Sequence, residues 1–480
     1  MRHLFLLLAP ALVVLAPACG DDDDAGTASG GASSGGASSG GSSAKGGSSQ
    51  GQGGATSSSG AGGDAGGTDS SGGTPGSAGD VSVGGASSGG ESTGTGGAGD
   101  VAGAGGDSGV LPSASAVSIT VGRLHSCAVT STGAVRCWGY AENGRLGNGV
   151  VDATSSGAFS TPVQVQGIAS GATQVSSFGD HTCAVVSGGV WCWGANDQGQ
   201  LGNGTRTESA LPVSVTGLTT GVTAVAAGDQ HTCALTSAGA VKCWGKNDYG
   251  QLGDDSTVEY STTPVSVSGL TTGVKSIAAG LSHACAVTSA NGAKCWGSNL
   301  YGELGIGASG NGAHVPGDVT GLTSGVATVT AGDNVSCAVT STGALRCWGK
   351  NADGQVGNGV SGTQEEEDSP VAVSGVTTGA TAVSSGYSFT CAVVSGAAKC
   401  WGSNFYLVLG NGQGPSFTSA TPVAVTGLTS GVTAISASAS DHACALTSTG
   451  AIKCWGNGSA ALGHGDSENA PSPVSVVSLP

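Results

Sequence analysis

One short phrase recurs seven times in this 480-residue chain, and its period limits the possible folds more than any other feature. The first copy reads His125-Ser126-Cys127-Ala128, a few turn-type residues, then Arg136-Cys137-Trp138-Gly139. The later copies pair Cys183 with Cys192, Cys233 with Cys243, Cys285 with Cys295, Cys337 with Cys347, Cys391 with Cys400 and Cys444 with Cys454. In every copy Ala follows the first Cys and Trp-Gly follows the second. First cysteines stand 50 to 56 residues apart, and a fixed period in that range marks a propeller or solenoid.

Each unit holds the parts of four short strands. An apolar alternation such as Val117-Ser118-Ile119 or Val225-Ala226-Ala227 comes first, followed by the Cys–Cys hairpin, an Asn/Gly-rich turn and a variable loop. A Pro-Val-x-Val run closes the unit, as at Pro162 to Val165, Pro212 to Val215 and Pro422 to Val425. The runs have strand length and period-2 alternation, and no helical periodicity competes with them. Four strands per unit is the content of one propeller blade.

Register within the hairpin follows from its length. From Cys127 to Cys137 the symmetry centre is Thr132, so Ser131-Thr132-Gly133 forms a three-residue loop with Gly133 at the left-handed position. The runs ending at Cys192 and Cys400 are one residue shorter and leave the two-residue turns Ser187-Gly188 and Ser395-Gly396. Both lengths place the two cysteines directly opposite each other, within disulfide range. Seven intra-blade disulfides are expected, each worth about 2–3 kcal/mol in the chain-entropy account. Zinc is the alternative, but two cysteines with no second pair nearby suit it poorly. On the other side of the hairpin, Ala128 opposes Arg136, and Ser126 opposes Trp138. A small residue opposite each Trp lets the indole lie flat and pack on the adjoining blade.

The N-terminal part differs in kind. Met1-Arg2-His3 precedes an apolar run from Leu4 to Leu15 and then Ala16-Pro17-Ala18-Cys19. Twelve apolar residues are too few to span a bilayer and match a signal-peptide core, so residues 1–18 read as a signal peptide and the compartment as oxidising. Of fifteen cysteines only Cys19 is left outside the repeat pairs. That makes Cys19 the expected lipidation site of a lipoprotein, although Leu15 stands four residues before it instead of three. Simple secretion is the alternative. Residues 19–113 are Gly/Ser/Ala-rich and read as a disordered linker, with the propeller over 114–480.

Charge argues against several functions. Net charge is −17, and residues 111–480 alone carry 12 basic and 21 acidic groups, so no nucleic-acid partner is expected. No nucleophile elbow, His-Glu-x-x-His motif or phosphate loop occurs, and no metal or cofactor is expected.

Two turns, Trp193-Gly194-Ala195-Asn196-Asp197-Gln198-Gly199-Gln200-Leu201-Gly202 and Trp244-Gly245-Lys246-Asn247-Asp248-Tyr249-Gly250-Gln251-Leu252-Gly253, together with Gly228-x-x-His231, resemble the repeats of the regulator of chromosome condensation family. The likeness covers about residues 114–480 and implies an all-β, seven-bladed propeller. The chain resembles a bacterial secreted or lipoprotein member. It departs from the pattern at Leu407, where the turn Gly is missing, at Val335, which replaces the His, and between Trp455 and Leu462, where one residue is lacking. The founding member is a nuclear exchange factor for a small GTPase. An exported acidic chain is expected to behave instead like secreted members that bind another protein through one face.

Candidate sites are few. His125, His181, His231, His283 and His442 precede their cysteines by two residues, and each is expected to hydrogen-bond within its own blade. Arg136, Lys242, Lys294, Arg346, Lys399 and Lys453 precede the second Cys and form a candidate binding ring, with Trp191 in that place in the second blade as a possible anchor. Glu365-Glu366-Glu367-Asp368 reads as a solvated run. The expected protein is a monomeric, non-catalytic propeller on the outer membrane, cell surface or periplasm, reaching the membrane only through a lipid anchor and binding a protein or glycan through its loops. A structural or adhesive envelope component and a propeller hydrolase are the alternatives. How the ring closes is open, and one blade could combine strands from both termini.

Overall fold

The computed structural model describes residues 115–151, 157–362 and 365–479. The signal segment, Cys19 and the linker lie outside the described residues. Period-2 alternation becomes twenty-eight strands in seven antiparallel sheets of four. In the first blade these are β1 (Ala116–Val121), β2 (His125–Thr130), β3 (Val135–Tyr140) and β4 (Ala158–Gln164), side by side in chain order from the axis outward.

Hairpin register is as the spacing predicts. Cys127 faces Cys137, Ala128 faces Arg136 and Ser126 faces Trp138. Every expected cysteine pair is a disulfide within its own blade. Cys127 is bonded to Cys137, Cys183 to Cys192, Cys233 to Cys243 and Cys285 to Cys295. Cys337 is bonded to Cys347, Cys391 to Cys400 and Cys444 to Cys454, and Cα separations across all seven are 4.0 to 4.1 Å. Gly133 takes φ +80°, while Ser187-Gly188 and Ser395-Gly396 form turns with both residues at positive φ, the geometry a two-residue hairpin needs.

The apolar cores lie between blades, not within them. One cluster joins Cys127, Val129, Val135, Cys137 and Leu146 of the first blade to Val175, Ala184 and Trp193 of the second. The other six clusters have the same composition, with one blade's disulfide packed among residues that include the next blade's Trp. Seven tryptophans are fully buried this way, whereas Trp191 is 38% exposed.

Each buried indole also makes a fixed hydrogen bond. Trp193 Nε1 donates to the carbonyl of Arg145 in the preceding blade (2.9 Å), Trp244 to Gln200 (2.8 Å), Trp296 to Gln251 (3.0 Å) and Trp348 to Glu303 (2.9 Å). Trp401 donates to Gln355 and Trp455 to Val408, and Trp138 completes the circle by donating to Ala461 of the seventh blade (2.8 Å). The accepting residue is always the one before the Leu or Val of the Asn/Gly-rich turn, or its counterpart in the seventh blade. In blades two to six a buried Asn sets that turn, as where Asn196 Oδ1 accepts from Leu201 N and its Nδ2 donates to the carbonyls of Thr205 and Thr207.

Ring closure, which the sequence leaves open, involves no blade shared between the two ends of the repeat array. All four strands of the last blade come from residues 432–475, and this sheet packs its face against the first blade through an apolar core like the others. Ala116 N donates to Gly450 O and Gly465 N to Ser160 O. The cohesive terms at this seam match those of every other interface, so no strand exchange is needed.

Two faces result. The loop face carries the β1–β2 tips (residues 122–124 and equivalents) and the third-to-fourth-strand loops. The hairpin face carries the Ser131-type hairpins and the connectors between blades. At the loop-face mouth the tips bond to one another through backbone: Arg123 N to Gly179 O, Asp229 N to Gly280 O, Leu281 N to Gly332 O and Asp333 N to Gly386 O. Gly280 has to be glycine here, because a Cβ would collide with the Gly332 carbonyl.

Leu407 holds the place that Gly199, Gly250 and Gly354 take elsewhere and adopts φ +65°. Its amide makes the same bond to Asn404 O that Gly199 N makes to Asn196 O, so the turn survives at the expense of a left-handed Leu. Such a residue is strained by about 1–2 kcal/mol. Leu407→Gly is therefore expected to stabilise the propeller by about 1 kcal/mol in denaturant unfolding, and an unchanged midpoint would show that the turn carries no strain.

Candidate functional site

The histidines are interface groups. All five are fully buried. His125 Nε2 meets Thr182 Oγ1 (2.7 Å), His181 meets Thr232 (2.8 Å), His283 meets Ser336 (2.9 Å) and His442 meets Ser126 (2.8 Å), in each case across to the next blade. The expected bond within its own blade is thus wrong; the strand spacing turns the ring outward to its neighbour. Each of these hydroxyls also lies against the turn carbonyl that receives the indole, at 3.3 Å for Thr182 and Arg145 and 2.9 Å for Thr232 and Gln200. With the hydroxyl proton committed there, Nε2 must donate, so the neutral form of the ring is the Nε2–H tautomer.

Burial agrees, pushing His181 and His283 down to about 4 and His231 to about 3, and lowering His125 well below the usual value. Among the described residues no group of three or more His, Cys, Asp or Glu could hold a metal. His231 faces Ala284 instead of a hydroxyl, and both its nitrogens lack a partner, just as Phe389 faces Ala443.

The basic series does not converge. Each member pairs across to its own outermost strand: Lys294 with Asp318 (2.7 Å), Lys453 with Ser475 (2.6 Å) and Lys242 with Ser266 (3.3 Å). Arg136 stands opposite Gln164, Arg346 opposite Ala372, Lys399 opposite Ala424 and Trp191 opposite Ser214. They lie one per blade near the hairpin-face strand ends.

The loop face gathers more. Across blades one to three, Arg145 is 1% exposed and binds Glu142 and Asp180 (both 2.9 Å), while Arg123 reaches from Asp180 to Asp229. Burial opposes the Arg123 charge, but Asp229 and Asp180 outweigh it and hold its pKa above the ordinary value. Burial raises Asp229 against the pull of Arg123. Beside this network opens a polar cleft of about 620 Å³ lined by Arg123, Asp180, Asp197, Arg206, Glu208 and Asp229.

Around the rest of the mouth stand aromatic rings. Tyr301 and Tyr387 flank Lys350 Nζ, with ring centroids 5.6 and 5.5 Å away, and Arg206 lies 4.5 Å over Tyr260. Phe405, 66% exposed, packs edge-on against Tyr406, and Tyr249 and Leu300 are also exposed. Sequence reasoning missed this arc, though each aromatic sits in a loop-face turn or strand end whose place is countable from the Cys–Trp pattern.

Chemistry has little to work with. The axial cavity of about 200 Å³ is lined by Gln, Ser, Thr, Ala, Val, Ile and Phe side chains, without a carboxylate. Burial, against Lys350, lifts Asp333 to about 6, but this carboxyl is 4% exposed and accepts from Asn334 (2.8 Å). Glu303, also raised by burial, is enclosed by Ser298 Oγ (2.6 Å) and Tyr301 N (2.8 Å). These groups hold loops in place.

The sequence profile described as RCC1-like domain matches residues 81–440, and that of the regulator of chromosome condensation (RCC1) repeat matches residues 432–460. The chain belongs to the RCC1-like domain family. Similar curated proteins include the ultraviolet-B receptor UVR8 of Arabidopsis thaliana, 30% identical over 254 residues, covering 52% of this chain and 56% of UVR8. The E3 ubiquitin-protein ligase HERC2 of Homo sapiens is 31% identical over 258 residues, which are 52% of this chain and 5% of HERC2. The match therefore spans about half of one relative and a small part of the other. Human WBSCR16 superposes with a TM-score of 0.62 at 23% identity, covering 72% of this chain and 94% of its own. Prp20p of Saccharomyces cerevisiae does so at 0.60 and 20%, covering 72% and 87%. At those identities the likeness is one of fold. This member of the RCC1-like family carries its interface code in the Trp, His and hydroxyl positions described above.

Two outcomes are expected from this geometry. Unfolded imidazoles titrate near 6.5, whereas His181 and His283 in the fold stay neutral to about 4 and His231 to about 3, so protons favour the unfolded chain from about pH 6.5 downward. The slope reaches about 1.4 kcal/mol per pH unit per residue. Asp333, at about 6 against an ordinary 3.8, acts in the opposite sense over a narrower window. His231→Phe is expected to be neutral or stabilising at pH 7 and to make the acid loss of stability shallower; His181→Phe should cost about 1 kcal/mol. Equal losses for both would refute the pairing. Second, Arg145→Ala should lower unfolding free energy by about 2–4 kcal/mol by emptying a fully buried site and taking from Asp180 its nearer partner, whereas Arg145→Gln, matching Gln200 and Gln251, should cost less than half of that.

Proposed function

We propose that the propeller is a non-catalytic module that binds another protein through its loop face, displayed outside the cell on a lipid anchor at Cys19. The observation that carries this reading is the collection of exposed Tyr and Phe side chains on the face that also bears the variable loops. Scattered apolar residues are ordinary on a surface, but aromatics gathered on one rigid face have the composition of a binding patch. The scaffold beneath them is rigid, since loops rooted by buried Asn side chains and disulfide-locked hairpins lose little freedom on binding.

Fold kinship supports the same use, because yeast Prp20 is seen bound to another protein, Kap60. Seven disulfides suit an oxidising compartment and so support export. Among the described residues no helix is long and apolar enough to cross a membrane, and a lipid at Cys19 would supply attachment.

The test is affinity capture from intact producing cells with the full chain, followed by measurement of affinity for the purified partner. Phe405→Ala with Tyr406→Ala is expected to weaken binding at least about tenfold, as loss of a central aromatic anchor does. Lys242→Ala and Lys399→Ala on the opposite face should leave it unchanged. Equal loss from either face, or none from the aromatic pair, would count against loop-face recognition. Mass spectrometry of the mature N-terminus checks the anchor, with an unmodified Cys19 refuting it.

A further inference from the structure

Net charge conceals a strong polarity in this propeller. Nineteen of the twenty acidic residues described stand at loop-face tips, loops and strand ends, together with five cations. The remaining seven cations, among them Lys275, lie within two residues of hairpin-face strand ends, where Asp318 is the one acid among the described residues. One face is thus heavily negative and the other positive.

We infer that the exposed aromatic patch of blades four to six docks a lysine- or arginine-rich polypeptide segment, with Tyr301, Tyr387, Phe405 and Tyr406 as the contact surface. This rests on the protein-binding reading and adds the chemistry of the partner. Two observations select a cation over other occupants. The ring faces in this patch already attract one, since Lys350 sits between Tyr301 and Tyr387 at cation–π distance. Carboxylates stand in the same sector of the face: the fifth blade, set between those bearing Tyr301 and Phe405, contributes exposed Glu365 and Glu366, and Glu366 accepts from Ser309 of the fourth-blade loop (2.8 Å). A basic segment could lay its aliphatic stems on the rings and its charges on the carboxylates. An acidic partner would meet repulsion over the whole face.

Binding of a lysine/arginine-rich 20-residue peptide, and of the same peptide with glutamate at every basic position, to the full chain tests the inference. The basic peptide is expected to bind and to weaken at least about tenfold between about 50 and 500 mM salt, as screened charge pairs do. The acidic peptide should not bind. Tyr387→Ala with Phe405→Ala should weaken binding about tenfold at fixed salt, Glu365→Gln with Glu366→Gln should flatten its salt dependence, and Lys242→Ala with Lys399→Ala should change neither. Phe405 is largely exposed, so an unchanged melting temperature separates lost binding from lost fold. Binding of the acidic peptide, absence of basic-peptide binding, or basic binding indifferent to the loop-face substitutions would each overturn the inference. If a captured partner depends on Phe405 yet resists high salt and is not displaced by the basic peptide, the partner chemistry fails while loop-face recognition stands.

Discussion

The backbone carbonyl of one turn residue per blade holds this ring together. It lies at the base of the variable loop and receives the indole N–H of the next blade and, in several interfaces, a hydroxyl as well. A buried carbonyl left without a donor costs about 1–3 kcal/mol, so seven such contacts leave little freedom in blade spacing. The contact also explains why Trp stands next to a disulfide that fixes its strand. The cross-link sets the register of the hairpin, the register aims the indole, and the indole positions the neighbouring turn. Interface geometry is thereby imposed from inside each blade.

The second tier of the same interface behaves as a matched pair. Where a His points forward, the next blade mostly presents Ser or Thr; Phe389 instead meets Ala443, an apolar pair that needs no hydrogen bond. His231 opposite Ala284 is the mismatch, with a buried imidazole that has no partner at either nitrogen. Its low pKa follows from the same burial that leaves it unpaired. A fixed neutral imidazole does packing and donor work only. The same burial keeps His181, His231 and His283 uncharged through the neutral pH range.

What the chain revealed before folding depended on distance along it. Hairpin loops, cysteine register and the Trp–small opposition are set within about ten residues, and all of these were legible. The His partner was not, because Thr182 lies 57 residues beyond His125 and Ser126 lies 316 before His442. Ring closure was illegible for the same reason: β1 could have paired at either edge, and only packing of the seventh interface decides it. The binding face escaped through summation. Tyr301, Tyr387 and Phe405 are scattered in sequence, and the acids were counted as a total, although their positions relative to each Cys–Trp pair assign nearly all of them to one end of the strands.

That segregation has an energetic consequence for how the protein works. Carboxylates crowded on one face repel one another and oppose compactness, an effect that counter-ions only partly screen. The interior could absorb this because its cohesion comes from apolar inter-blade cores, indole–carbonyl bonds and seven disulfides, none of which involves the loop-face charges. Arg123 and Arg145 relieve the repulsion over blades one to three, where they are tied to Asp180, Asp229 and Glu142. Over blades four to six Lys350, the one cation of the mouth among the described residues, is set between two aromatic rings, and the glutamates nearby have no arginine of that kind beside them. The two halves of the face therefore differ in how their charges are held: over blades one to three arginines tie several of the carboxylates, whereas the glutamates over blades four to six have none beside them, and both halves keep a net negative charge.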